Sequence, residues 1–360
     1  MPSQIPSSKS GSEVRHEVEQ RAQLLQRLLP EGVPALWCPL LTHYKSDGGI
    51  DESRIAAHLR HLAPHVKGFL IPGSTSDGWE LNDEEFRQLL EIALEQTQKL
   101  ERYLLIGVLK VEAREALEKI IDLKNDIISR TGELDAEKAL IKARVCGFTI
   151  CAPRGREVTR GEMERGLSSI LETGLPIALY QLPQITENEI DPDLIAQLAE
   201  QFSNFIFFKD SSGTDRLMLS GKDLGGVFTM RGAEGQYVDW TKAAGGGYDG
   251  FLLSTANCLA AEFNQIFGHL AAKRGKAARE LSDRATALIS GVFEVVKPWP
   301  DGNAFSNANK AMDHFFAFGP STVDLPGPRL HGGSRLPGEM IRKTGELLHR
   351  HGLMPGRGYS

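Results

Sequence analysis

The chain lacks an excess of positive charge, a long apolar run and a dense set of cysteines. Its formal net charge is -6, so nothing in its charge balance draws it to nucleic acid or to an anionic membrane surface. No stretch approaches the roughly 20 apolar residues that a bilayer-spanning helix needs. The amino terminus, MPSQIPSSKSGSEVRHE, is polar and has no apolar core of the signal-peptide kind. Four cysteines occur, Cys38, Cys146, Cys151 and Cys258, three of them inside apolar strand-like runs. They have no metal-binding spacing and suggest reduced core thiols in a cytoplasmic protein, with no metal expected. What is present is ordinary for a globular chain. Hydrophobic residues make up 41% and charged residues 24% of 360, enough for one large domain or two.

Residues Met1 to about Ser12 are Ser-rich and poor in large apolar groups, and a disordered tail is expected there. A helix is predicted over Glu17 to Leu29, with Leu24, Leu25 and Leu28 on one face, ending before Pro30 and Gly32. From there short apolar runs alternate with amphipathic segments. The runs are Ala35–Leu41, Gly68–Pro72, Leu104–Leu109, Gly147–Cys151, Ile177–Gln181, Phe205–Lys209, Val227–Met230 and Gly250–Leu253. Of the helical segments Glu85–Thr97 is the clearest, and Asn82 with Glu85 forms a capping pair at its start. Strands followed each by a helix, eight times over, predict an α/β fold, a closed parallel (β/α)8 TIM barrel. The crossover between Leu109 and Gly147 is long and reads as a split helix with a turn near Thr131–Gly132. Helices over Ala260–Val296, Asn303–Ala317 and Gly338–Leu353 exceed what barrel closure needs. The expected division is residues 1–33 for tail and leading helix, 34–262 for the barrel and 263–360 for a helical carboxyl-terminal extension.

The stretch FIFFKDSSG, Phe205 to Gly213, carries the chemistry best. Four apolar residues in a row read as a strand buried on both faces, and Lys209 stands at its carboxyl end. Two readings of Lys209 are open. One is a solvated strand-end lysine with its stem on apolar neighbours. The other is a buried amine, since burial disfavours the ammonium form. Bringing a lysine from about 10.4 to roughly 7–8 costs on the order of 4 kcal/mol, and the neutral amine can attack a carbonyl to form a Schiff base.

Barrel active sites lie at the carboxyl ends of the strands, and two further strand ends match this chemistry. The second leads into Gly73-Ser74-Thr75, a turn offering N–H groups and two hydroxyls to an anion. The fifth ends in Tyr180, a phenol able to pass a proton, with Pro183 shaping the turn. A lysine nucleophile, a phenol and a carboxylate-binding turn together make a Schiff-base site for a 2-oxo acid.

These residues resemble the dihydrodipicolinate synthase and N-acetylneuraminate lyase family of class I aldolases, over roughly Pro34 to Glu262. Gly73-Ser74-Thr75 is similar to the family's turn for the pyruvate carboxylate. Tyr180 with Pro183 is similar to its Tyr-x-x-Pro element, Lys209 in KDSSG to its Schiff-base lysine, and GFLLSTANCLA, with Ser254, to its eighth-strand segment. The resemblance implies catalytic roles for Lys209, Tyr180 and Thr75, with the Thr75 hydroxyl between phenol and reacting oxygen. It implies that Gly73, Ser74 and Thr75 bind the carboxylate of pyruvate or a related 2-oxo acid, that no cofactor is needed, and that the chain forms a homo-oligomer, a tetramer or dimer.

The departures concern the second substrate. Where the family follows its turn with Gly-Glu, this chain has Ser76-Asp77. Where dihydrodipicolinate synthases carry an Arg two residues after the Pro, Ile185 stands, and it cannot pair with a carboxylate. The fourth strand leads into Cys151-Ala152-Pro153-Arg154-Gly155, with no Tyr. Two cations, Lys110 and Arg154, are expected near the mouth, either gripping an anionic or polyhydroxylated tail or solvated in loops. Glu234 and Gln236 are further candidates for substrate contacts. The expected activity is carbon–carbon bond cleavage or formation on a 2-oxo acid. The alternatives are a dehydratase of a sugar-derived 2-oxo acid, an authentic 4-hydroxy-tetrahydrodipicolinate synthase, and a catalytically silent family member.

Overall fold

A computed structural model of the chain describes residues 11–360. Of the expected tail, residues 1–10 lie outside the described residues. The leading helix α1 spans Gly11–Leu28 and so starts before Glu17. Its first half is polar and carries no apolar stripe to mark it in the sequence, yet Glu17 there accepts the Ser203 N–H at 2.9 Å.

The barrel alternates as expected. It runs β1 Leu36–Pro39, α2 Glu52–Leu62, β2 Gly68–Ile71, α3 Asp83–Lys99, β3 Tyr103–Val108, α4 Ala113–Thr131, α5 Ala136–Lys142 and β4 Val145–Cys151. It continues α6 Arg160–Leu171, β5 Ile177–Gln181, α7 Pro183–Thr186, α8 Pro192–Gln201, β6 Phe205–Asp210, α9 Arg216–Leu219, β7 Phe228–Arg231, α10 Tyr237–Trp240 and β8 Gly250–Leu252. All neighbouring strands pair in parallel, and β8 closes on β1. Asn82 caps α3 through its side chain while the Glu85 carboxylate accepts the Asn82 N–H, the reciprocal arrangement predicted for that pair. The long third crossover divides into α4 and α5, with Gly132 in the left-handed region at the break.

Inside the barrel the inward residues Trp37, Leu70, Tyr103, Leu105, Phe207, Met230 and Leu252 form one cluster with Leu24 and Leu28 of α1 and Leu29 just after it. The leading helix therefore seals the amino-terminal end of the barrel. Arg21, fully buried, donates to the carbonyls of Phe205, Gly225, Ala199 and Phe202, which satisfies backbone groups at that closed end. The outward strand residues pack under the helices in a second, larger cluster.

After β8 come α11 Ala256–Ala271, α12 Gly275–Val296, α13 Ala304–Phe318 and α14 Gly338–Arg350. The segment read as one helix from Ala260 to Val296 is two, because Ala272–Arg274 turns the chain, with Lys273 at positive φ. The barrel's eighth helix is α11, which continues across residue 262. Helix α13 is buried along almost its whole length, and it returns to the barrel mouth. Its Asp313 accepts from Arg54 of α2 at 2.6 Å and from Tyr359 at 2.8 Å, beside the buried His43 and His58. That network ties the end of the chain to the barrel.

Candidate active site

Strand β6 contains a register shift. Ile177 of β5 stands opposite Phe205 and Ala178 opposite Phe207, so Ile206 is an extra residue. A bulge reverses the in–out phase of everything that follows it. Phe205 and Phe208 pack outward under the helices, Ile206 and Phe207 inward. Lys209 therefore points into the barrel. The same device recurs in β4, where Cys146 is extra and Cys151 turns inward. At that bulge Gly147 has φ +155, and a Cβ there would lie 2.5 Å from the Pro176 carbonyl oxygen. Cys151, Tyr180 and Lys209 form one rung across three strands.

Lys209 is 4% exposed. Its Nζ lies 3.8 Å from the centroid of the Tyr180 ring. Burial pushes the amine down from 10.5 to about 7, against the opposing pull of Cys151, Glu234 and Cys38. Half of such amines are uncharged at neutral pH, which is the state a nucleophile needs. Tyr180 is also buried, which raises its phenol well above the ordinary value. Cys151 adds to this, and hydrogen bonds with Ser74 and Ser211 oppose it. The phenol thus stays protonated at neutral pH.

Above them sits the turn that follows β2. Ser74–Ser76 is a single 3-10 turn whose first internal bond runs from Ser76 N–H to Gly73 O at 3.0 Å. The N–H groups of Ser74 and Thr75 precede that bond and are the turn's free donors. Ser74 Oγ accepts the Trp79 indole N–H at 2.9 Å. Lys209, Tyr180, Ser74, Thr75, Ser211, Gly232, Ser254 and Phe305 border one small pocket, about 300 Å³ including its opening. The structure thus brings six predicted residues or their turn together: Lys209, Tyr180, Thr75, Ser74 and Ser254 at the pocket, with Gly73 opening the turn.

Comparison with known proteins follows the same lines. The Dihydrodipicolinate synthetase family model matches residues 147–301, the span that holds Tyr180, Lys209, Glu234 and Ser254. The 4-hydroxy-tetrahydrodipicolinate synthase 2 of Clostridium acetobutylicum is 26% identical over 269 residues, covering 73% of this chain and 85% of that protein. The chain is similar to the dihydrodipicolinate synthetase family. The corresponding synthase of Lactococcus lactis subsp. cremoris is 24% identical over 277 residues, covering 76% of this chain and 86% of that protein. Among solved structures, a prophage protein of the dihydrodipicolinic acid synthase family from E. coli K12, in complex with pyruvate, superposes with a TM-score of 0.70 at 19% identity. It covers 89% of this chain and 98% of its own. The Sulfolobus 2-keto-3-deoxygluconate aldolase in complex with D-KDPG gives 0.67 at 19%, covering 88% and 96%. These structural likenesses carry the fold, the closed barrel with added helices.

Within this site, several expected contacts fall elsewhere. The Ser74 and Ser211 hydroxyls act on the Tyr180 phenol and hold its pKa down against burial, and Thr75 lines the same pocket. Lys110 does not reach the mouth. It lines a wide groove outside the barrel, between α3 and α4. Leu104, Ile106 and Val108 face out under the helices and Leu105 and Leu109 face in, so a residue one step past Leu109 continues on the outer phase. Arg154 does not line the pocket either. It is half-exposed and forks onto Glu187 Oε1 at 2.6 and 3.2 Å, because the β4 loop lies beside the end of α7. Gln236 is exposed at the start of α10, with φ +54.

Glu234 is partly buried, and both of its carboxylate oxygens are engaged. Its Oε1 accepts from Ser254 Oγ at 2.7 Å and Thr255 N–H at 3.1 Å, and its Oε2 from Thr255 Oγ1 at 2.6 Å and Tyr237 at 3.0 Å. Burial raises its carboxyl above the usual range, and those hydrogen bonds hold it back. Its negative charge favours the protonated form of Lys209. Ser254 at the pocket wall is thus oriented by Glu234.

Sequence reasoning missed the part contributed by α13. Asp77, read only as a departure from the family pattern, accepts from Lys310 Nζ at 2.7 Å and Tyr44 at 3.0 Å, with Asp77 and Lys310 both buried. The Ser306 hydroxyl lies 2.8 Å from Asp77 Oδ1 and 2.9 Å from the Thr75 carbonyl, and Asn303 donates to the Ser74 carbonyl at 3.1 Å. The turn is therefore held from the carboxyl-terminal helices, and Phe305 reaches the pocket from the same helix. Gly232 was also missed. A Cβ there would lie 2.1 Å from Ser211 Oγ and 2.9 Å from Lys209 Cε, so the space beside the amine requires glycine. An Arg-Gly pair closing the seventh strand was the available signal.

Proposed function

We propose that the chain is a Schiff-base-forming lyase that breaks or makes a carbon–carbon bond on a 2-oxo acid, with pyruvate as the enamine component. One observation carries the reading: the amine of Lys209 is buried at the barrel mouth with its pKa near 7, over the Tyr180 ring and facing the Ser74–Thr75 turn. The pyruvate complex of the E. coli relative and the aldolase from Sulfolobus agree with this choice of chemistry.

The neutral amine attacks the keto carbon, water leaves, and the cationic imine draws electrons from the adjacent carbon–carbon or carbon–hydrogen bond. The N–H groups of Ser74 and Thr75 hold the carboxylate. Tyr180, beside Ser74 and Ser211, gives and takes the proton, with the Thr75 hydroxyl at the same pocket. Glu234 keeps Ser254 in place and tunes the amine. In this reading the barrel, residues 34–262, works with the leading helix and the helical extension as one cytoplasmic enzyme, and the enzyme is a homodimer or homotetramer.

Borohydride reduction in the presence of pyruvate tests it. The peptide carrying Lys209 is expected to gain the mass of a reduced pyruvate adduct. Recovery of that peptide unmodified, while the chain is folded, refutes the reading.

A further inference from the structure

The pocket is polar on one side and apolar on the other. Its hydroxyls cluster at the carboxylate turn and strands β6 to β8, where Ser74 is engaged with Trp79 and Ser254 with Glu234. The other side is Pro39, Leu182, Leu252 and Phe305, backed by the cluster at the ends of β3, β4 and β5. Leu109, Cys151, Tyr180 and Leu182 pack together there, with Trp79 and Ile185 against them, and Phe305 borders the same pocket from α13.

Among the described residues, Lys209 is the one basic side chain that lines this pocket. Every other cation near the mouth is committed or turned away. Lys310 is paired with Asp77 and Arg231 with Asp215, both buried. Arg154 is paired with Glu187, and Lys110 lies in the outer groove. A phosphate or carboxylate on the second substrate would enter this wall without a counter-charge, which is strongly disfavoured. A chain of hydroxyl groups would lose its water and find apolar carbon.

We propose that the partner of pyruvate in this site is an uncharged aldehyde with an aromatic or branched aliphatic body, held by Pro39, Leu182, Leu252 and Phe305. The proposal rests on the lyase reading above. In the condensing direction, C3 of the Lys209-bound enamine forms a bond to the aldehyde carbon. The carbonyl electron pair moves to oxygen, which takes the proton held by Tyr180. Water then hydrolyses the imine, releasing a 4-hydroxy-2-oxo acid and restoring the amine.

The test is a condensation assay of the full chain with pyruvate and four aldehydes: benzaldehyde, 3-methylbutanal, glyceraldehyde and glyceraldehyde 3-phosphate. Pyruvate trapping at Lys209 runs in parallel. The expected result is trapping together with a kcat/KM for benzaldehyde or 3-methylbutanal at least about tenfold above that for either glyceraldehyde. Trapping with equal or reversed preference overturns the proposal and leaves the lyase reading standing, as does trapping with no turnover of the apolar aldehydes. Absence of trapping removes the lyase reading, and this proposal with it. In Phe305→Arg the ratio of benzaldehyde to glyceraldehyde 3-phosphate is expected to fall at least about tenfold. An unchanged ratio counts against the apolar wall as the selecting feature.

Discussion

The amine of Lys209 sets a pH dependence that can be measured without knowing the second substrate. Lowering it from 10.5 to about 7 raises the uncharged fraction at pH 7 from roughly 0.03% to half, a gain of about 1,500-fold in attacking species. The assay is exchange of the pyruvate methyl protons for deuterium, followed by NMR, because exchange needs only imine and enamine. Its second-order rate constant reports ionisations of the free enzyme. It is expected to fall about tenfold per pH unit below an inflection near 7 and to level off above it. Lys209→Ala should abolish exchange. An inflection near 10, or exchange that survives Lys209→Ala, would refute the reasoning.

The same depression has a thermodynamic side. Its magnitude, roughly 3.5 pH units between folded and unfolded amine, corresponds to about 5 kcal/mol. Because the folded pKa is the lower one, the unfolded chain binds more protons between pH 7 and 10.5, so this group's contribution to stability rises with pH over that window. Below about pH 7 both states are protonated and the penalty is at its full size. Lys209→Met should therefore unfold at higher temperature than the parent chain at pH 6, and its advantage should shrink as pH rises towards 10. An advantage constant with pH would mean that the amine is not the buried group described.

Three other outcomes are expected. Glu234→Gln removes the anion that favours the protonated amine, so the inflection of the exchange profile should move to lower pH; some stability, about 1–3 kcal/mol, should go as donors lose an acceptor, and an unmoved inflection argues against electrostatic coupling. Gly232→Ala puts a methyl against Ser211 and Lys209, and exchange should drop by about 100-fold with the far-ultraviolet circular dichroism unchanged; near-normal exchange would show that the pocket has slack there. Lys310→Met leaves the buried Asp77 carboxylate unpaired at a cost of about 3–5 kcal/mol in chemical denaturation, while Lys310→Met with Asp77→Asn should lose less than the two single changes summed; simple additivity would deny that the pair acts as a unit.

How far the sequence could be read follows from the strands themselves. Each barrel strand is buried on both faces, so each appears as an unbroken apolar run, and the runs mark all the strands to within a residue or two. That same continuity erases the alternation that says which residues face inward. In Phe205–Lys209 four apolar residues in a row hide the extra residue at Ile206, and plain alternation from Phe205, which faces out, would have placed Lys209 outside. Only the neighbouring motif residues pointed the other way. In β3 no bulge intervenes beyond Leu105, and counting in twos from Leu105 already assigns Lys110 to the outer side. That Leu105 faces in is not written in the unbroken run, so the outer place of Lys110 emerges only from the structure.

The clamp on the carboxylate turn was beyond any such count. Asp77 and Lys310 stand 233 positions apart, and each alone looks like an ordinary surface charge. What joins them is the return of α13 across the barrel mouth, a path set by packing of the carboxyl-terminal helices on one another and on α11. The helices that seemed surplus to barrel closure thus fix the geometry of the turn that opens the site and supply Phe305 to its wall. A change that loosened α13 without touching the barrel would weaken pyruvate binding and the preference among aldehydes together, because one helix carries both.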